Sequence, residues 1–207
     1  FAGVEVMEED PVVGMIQSAL DAATGGLEAE DVLRFLKSGL SPLQPSECDL
    51  LENYAGVWRI RGRKWETEWD MHPDGYGAPL DAAAKERLLQ LNDARVRGVQ
   101  PLAQLRDGLR AASGTAEQVE ALYAFLERIG LAQTLERLQE HSTTRSELQQ
   151  AQAYGQMYEI VLQALEQMYL VLGETVRDPG DFADLFSVVL SQYDVGTIPA
   201  NLDSVRV

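Results

Sequence analysis

A single cysteine, Cys48, in 207 residues excludes an intramolecular disulfide and any metal site built from several thiolates. The lack of disulfides fits a reducing cytoplasm. Histidine is almost as scarce: His72 and His141 are the two present, too few for a Cys/His zinc site. No apolar run reaches the roughly 18 residues that a membrane span needs. No G-x-x-x-x-G-K-[ST] loop occurs, and no G-x-G-x-x-G follows a strand, so neither nucleotide-binding device lies in these residues. Basic residues are outnumbered, 17 against 33, for a formal net charge of −16. Such a balance repels phosphate polymers in general. Strand signals are confined to the ends, and no repeat of fixed period or low-complexity segment is present.

Apolar residues make up 45% of the chain, enough for a real core. Their spacing is helical. Thr144-Arg145-Ser146-Glu147 has the form of a capping box, in which a hydroxyl accepts from the N3 amide and the glutamate reaches back. Tyr158, Leu162, Leu165, Tyr169 and Leu172 follow at steps of three and four. Tyr154, Met157, Val161, Ala164, Met168 and Val171 run beside them. The two rows predict a long helix with a broad apolar face, central and touched by several others, ending at Gly173. Residues 115–118 repeat the capping pattern. Val119, Leu122, Leu126 and Ile129 then form a stripe that stops at Gly130, and Leu131, Leu135 and Leu138 continue on a short helix. Residues 80–97 and 101–112 read as two helices divided at Gly98 and Pro101. Further helices are expected over 11–23, 28–38, 46 to about 58, and 181–193, each bounded by Gly or Pro.

Val4-Glu5-Val6 and residues 195–207 alternate as extended segments do. The expectation is therefore a mainly α fold, an irregular multi-helix bundle with short extended segments at the two termini. Residues 1–10 form the entry segment, 11–194 the helical domain and 195–207 the exit segment. Phe1 at one end, with no secretory signal before the first helix, and Val207 at the other read as the ends of an excised piece. Entry and exit side by side are what an insertion into a parent domain requires.

Candidate chemistry is sparse. Asp70-Met71-His72-Pro73-Asp74-Gly75 mimics the start of a calcium loop, and Asp81 falls at its twelfth position. However, His72 occupies a ligand position, and Asp81 is shorter than the usual bidentate Glu. The plainer reading is a polar turn with Asp81 at a helix N-terminus. Glu8-Glu9-Asp10 reads as solvated surface, and Cys48 as a small buried apolar residue. Neither histidine has a nucleophile elbow to serve. No catalytic or metal-binding residue is assigned.

The one long region without periodicity, 59–79, opens with Trp58-Arg59-Ile60-Arg61-Gly62-Arg63-Lys64-Trp65. Four of the 17 cations fall in this run, a local reversal of sign. Arg59, Arg61, Arg63, Lys64 and Trp65 are the candidate contacts to DNA or a protein partner: cations for phosphate, an indole for stacking. The structural alternative makes Trp58 and Trp65 core anchors and pairs the arginines with Glu66, Glu68 and Asp70.

Several segments together resemble one family, the B subunits of AddAB-type ATP-dependent helicase/deoxyribonucleases. Phe35-Leu36-Lys37-Ser38-Gly39-Leu40 looks like that family's "lK[ST]GL" element. Leu51-Glu52-Asn53-Tyr54 resembles the "LENY" after it, and Arg61-Gly62-Arg63-Lys64-Trp65 the Gly/basic/Trp block that comes next. Tyr193-Asp194-Val195-Gly196-Thr197-Ile198-Pro199, with Leu202, Asp203 and Val205, looks like "YDVGTIPxxLDxV". Residues 80–172 match only as generic helix. The resemblance implies a subunit that works with an A subunit on broken DNA ends in recombinational repair. It identifies this stretch with the helical insertion called domain 2B. ATP, magnesium and an iron–sulfur cluster are implied elsewhere in the parent, and none in this stretch. The expected role is non-catalytic: shaping the DNA channel or bracing the A subunit, in the cytoplasm and away from membrane. The alternatives are a free-standing helical protein–protein interaction module and, less supported by any residue cluster, a small helical hydrolase.

Overall fold

The computed structural model describes residues 10–193. The expected extended segments, 1–10 and 195–207, lie outside them except for Asp10. Eight α-helices account for most of the described residues: α1 Pro11–Thr24, α2 Ala29–Leu36, α3 Pro45–Trp58, α4 Ala82–Ala111, α5 Thr115–Arg128, α6 Leu131–Glu140, α7 Arg145–Leu172 and α8 Pro179–Ser191. No strand occurs among the described residues, and none of their helices is long and apolar enough to cross a membrane. The expected mainly α bundle is what forms.

Helix α1 is buried nearly all round: nine of its 14 residues are inaccessible. It packs on α2, α4, α7 and α8. Asp10 starts it, its carboxylate accepting from Val12 N at 2.8 Å and Val13 N at 3.3 Å, with Pro11 at N1. Helix α7 is the second hub and meets α1, α5, α6 and α8, as its broad apolar face predicts. The capping box at its start is present: Glu147 N donates to Thr144 Oγ1 at 3.1 Å, and Thr144 N to Glu147 Oε2 at 3.2 Å. The face is narrower at the far end than its periodicity suggests. Tyr169 and Val171 are exposed there, beyond the reach of neighbouring helices. Gly130 separates α5 from α6 with φ 66, a left-handed conformation that glycine adopts without steric cost. Phe35 and Phe125, 5.7 Å apart, tie α2 to α5 within one continuous core.

Two local expectations are corrected. Thr115 and Gln118 do not form the cap of α5. Thr115 is the first helical residue, and its hydroxyl bonds to the Thr175 carbonyl at 3.0 Å and the Thr175 hydroxyl at 2.9 Å. Gln118 Nε2 donates to the Arg177 carbonyl at 2.8 Å. These buried polar groups hold the α7–α8 connection instead. Gly114 is the N-cap, with no side-chain cap, and Glu117 folds back to accept from Ser113 N at 2.8 Å and Ser113 Oγ at 2.7 Å.

The larger correction is α4. Residues 80–97 and 101–112 are not two helices but parts of one 30-residue helix that runs through Pro101. A proline there removes one backbone bond and costs about 3 kcal/mol. Burial offsets it, since Gly98, Val99, Pro101, Leu102, Ala103 and Leu105 all face neighbours. Gly98 is not a break but a point of close approach. A Cβ at this position would lie 2.7 Å from Leu36 Cδ2 and 2.8 Å from Leu43 Cδ1.

The length of α4 matters because it carries the non-periodic segment between α3 and itself. Asn92 clasps the Trp69 backbone from both sides: Trp69 N donates to Asn92 Oδ1 at 2.8 Å, and Asn92 Nδ2 donates to Trp69 O at 2.8 Å. Arg95 Nη1 donates to the Trp65 carbonyl at 3.0 Å, its guanidinium 5.9 Å from the Trp69 ring centroid. Two bidentate ion pairs close the ends of the row. Arg87 grips Asp74 through two 2.7 Å bonds, and Arg106 grips Glu66 at 2.9 and 2.8 Å. Residues 87 to 106 of a helix span about 28 Å, so this segment is held along its length by side chains of one rigid element.

Replacing Gly98 with Val puts a branched side chain where no Cβ fits. Urea unfolding is expected to show a loss of about 2–3 kcal/mol, with unchanged stability contradicting the close approach.

The basic ridge and its aromatic floor as candidate functional site

The segment starts where α3 ends. Arg59 caps that helix in the left-handed conformation, φ 51, and its N–H bonds to Ala55 O. Gly62, φ 56, donates its N–H to the Leu27 carbonyl at 3.0 Å and joins the segment to the α1–α2 connection. A single 3-10 turn follows at Gly62–Trp65. This geometry alternates side chains sharply. Ile60 and Trp65 turn inward, while Arg59, Arg61, Arg63 and Lys64 point outward.

Trp65 is 1% exposed and serves the core. Its ring stands 5.7 Å from Trp69, which stacks on Tyr54 at 4.4 Å and an interplanar angle of 11°. Tyr54 lies 6.5 Å from Trp58, and Trp58 4.5 Å from Tyr76. Trp65, Trp69, Tyr54 and Trp58 form an unbroken floor under the segment, and Tyr76 rests on its Trp58 end. Their polar ends are mostly engaged. Trp69 Nε1 donates to Lys64 O at 2.9 Å and Trp58 Nε1 to His72 O at 3.0 Å. The Tyr54 hydroxyl accepts from Met71 N at 3.1 Å and donates to Met71 O at 3.3 Å. Burial holds the Tyr54 hydroxyl above its ordinary pKa, so it stays protonated and able to donate.

The arginines do not pair with Glu66, Glu68 and Asp70. Among the described residues, none of Arg59, Arg61, Arg63 and Lys64 makes an ion pair. The reason lies on α4. Arg106, with a side chain only 12% exposed, takes Glu66 and holds its carboxyl below the usual range. Arg87 does the same to Asp74. Residues 59–74 contain four cations and four acids, and two of those acids are neutralised from outside. Within the segment four cations are then left against two acids, Glu68 and Asp70.

Asp74 and Asp81 are both committed within the fold. Asp74 holds Arg87, and Asp81 caps α4 by accepting from Ala84 N at 2.8 Å. His72 Nδ1 accepts from Asp74 N at 3.0 Å, which makes the turn at 72–74 local structure. No group of three or more His, Cys, Asp or Glu side chains converges among the described residues. An iron–sulfur cluster needs four thiolates. Cys48, the single cysteine, is buried and donates to Leu36 O at 3.1 Å, so these residues do not fit that cluster. A cleft of about 1050 Å³ opens between the α2–α3 connection with the first turn of α3 and the α5–α6 corner. Lys37, Asp49, Glu127 and Arg137 line it with charge of both signs.

The first two motif segments meet each other. Lys37 pairs with Glu52, joining the 35–40 element to the 51–54 element, and Leu51 and Tyr54 are core. Those residues are accounted for by folding alone. The outward-facing cations of the third element are not.

No family model matches the chain. Individual relatives do match. The chain is 30% identical over 203 residues, 97% of its length, to the B subunit of the ATP-dependent helicase/deoxyribonuclease of Clostridium botulinum (strain Langeland). It is 30% identical over 95% of its length to the protein of that name from Ruminiclostridium cellulolyticum. To that from Clostridioides difficile (strain 630) it is 29% identical over 97% of its length. The chain spans only 17–18% of the length of these relatives. Over nearly its whole length, then, the chain corresponds to one segment of the B subunits of ATP-dependent helicase/deoxyribonucleases.

Proposed function

We propose that this chain is a non-catalytic helical domain of such a subunit, in a machine that processes DNA double-strand breaks for recombinational repair with an A subunit as partner. Its task is to line the path of the DNA. The observation that carries this reading is the row of four outward-facing cations, Arg59, Arg61, Arg63 and Lys64, which make no ion pair among the described residues, in a chain of net charge −16. Long-range electrostatics of so acidic a body work against phosphate, so attraction of DNA to this chain has to come from a local cluster such as this one. ATP hydrolysis and strand cleavage belong, on this reading, to the rest of the polypeptide.

A second role, bracing neighbouring protein, is supported at another place. Leu170 and Val171, at the end of α7, are 72% and 71% exposed, and Val176 just beyond is also open to solvent. Such a patch fits a protein surface better than a nucleic acid, since residues 168–176 contain no cation.

The isolated chain is expected to hydrolyse no ATP and to cut no DNA. ATPase activity above background in purified material contradicts a non-catalytic role. Replacing Arg59, Arg61, Arg63 and Lys64 together with Gln in the intact complex is expected to weaken DNA binding. The slope of log affinity against log salt should flatten by about 1 for each phosphate no longer neutralised. Unchanged affinity and slope would reject DNA binding at this ridge.

A further inference from the structure

We propose that Tyr76, resting on Trp58, is a stacking platform for the bases of single-stranded nucleic acid whose phosphates lie along the neighbouring cations. The proposal rests on the ridge being a DNA contact, and it adds which form of DNA fits.

Tyr76 is 86% exposed. A large aromatic ring this open contributes little to its own fold, yet it is not loosely placed. Its ring centroid is 4.5 Å from that of Trp58 at an angle of 59°, and Trp58 is fixed by its hydrogen bond to the His72 carbonyl. The turn that presents Tyr76 has glycine on both sides, Gly75 at φ 96 and Gly77 at φ 90. Only glycine adopts such backbone readily, so the turn can close tightly and still project its one large side chain. Gly75 N donates to His72 O at 3.1 Å, and Asp74 is locked by Arg87. Val57 and Met71 are also exposed. Val57 Cγ1 lies beneath the turn, 3.5 Å from where a Gly75 Cβ would stand.

Charge selects the occupant. Arg59 follows Trp58 directly, and Arg61, Arg63 and Lys64 continue from it. An open ring face resting on Trp58, the residue from which the run of cations starts, matches a ligand with flat π surfaces on a negative backbone. A single strand offers both together. A duplex keeps its base faces stacked inside and presents only phosphate and groove edges. An apolar protein surface would cover Tyr76 but leave the cations without counter-charge. Stacking on a ring face tolerates any base, so the platform would be indifferent to sequence.

The test uses the 207-residue chain at low salt and a labelled single-stranded oligothymidylate, read by fluorescence anisotropy. Tyr76→Ala is expected to weaken binding about ten-fold, while Tyr76→Phe, which keeps the ring face, binds as the parent does. A blunt duplex of equal length is expected to bind less tightly and to be insensitive to Tyr76→Ala. Because the side chain is exposed, circular dichroism of both variants should match the parent. An unchanged single-strand affinity in Tyr76→Ala, or an equal loss for duplex, overturns the platform. If neutralising the four cations still weakens both nucleic acids in that case, the ridge stands without the platform. If neither change matters, both fall, and a parent chain that binds no oligothymidylate at all also sinks the platform.

Discussion

The clasp of the Trp69 peptide by Asn92 is the interaction on which the site depends. Residues 59–81 have almost no regular structure, so their backbone groups lack the partners that a helix would supply. A buried peptide left unpaired costs about 1–3 kcal/mol for each group. One side-chain amide satisfies both sides of Trp69 at 2.8 Å, in the way a neighbouring strand would. With that peptide fixed, Trp69 can stack on Tyr54, Tyr54 can bind the Met71 peptide, and Trp65 can enter the core. The inward turn of those rings is what leaves the cations between them pointing out.

Helix α4 then acts electrostatically as well as mechanically. Glu66 and Asp74 would otherwise be the natural partners of the nearby basic residues. Arg106 and Arg87 remove them from competition, in geometries that favour arginine over lysine because the planar guanidinium meets both carboxylate oxygens. Burial draws Arg95 below its ordinary pKa, but a guanidinium stays charged in a folded protein. Its charge is spent on the Trp65 carbonyl and the Trp69 ring. The same helix therefore holds the segment down and clears acids from its surface. This is how a chain with about twice as many acids as bases keeps four cations of one segment clear of ion pairs among the described residues.

Much of the fold is legible in local spacing. The stripes of α5 and α7, the capping box at Thr144 and the stop at Gly130 depend only on residues three or four apart, which is the range at which sequence pattern reports structure. Pro101 misleads because the burial that offsets its cost comes from partners distant in sequence. Thr115 and Gln118 mislead for a related reason: their side chains bond to residues 175 and 177, and nothing nearby in sequence signals that. The site is half legible. The cluster of cations is plain, but its freedom from ion pairs is not, because Arg87 and Arg106 lie outside the segment. Trp65 has both readings open in the sequence, and the structure puts it in the core. Tyr76 belongs to no periodic pattern and escapes sequence reading. Its flanking glycines are a signal of a tight turn there, since both take positive φ.

Residues 62–74, anchored in the core by Trp65 and Trp69, are ordered and not a mobile loop. Amide hydrogen exchange measures this directly. The N–H groups of Trp69 and Met71, bonded to Asn92 and the Tyr54 hydroxyl, should be protected to a degree comparable with the amides of α4. Exchange of both at the rate of an unstructured peptide, while α4 stays protected, would show that the Asn92 clasp does not hold the segment.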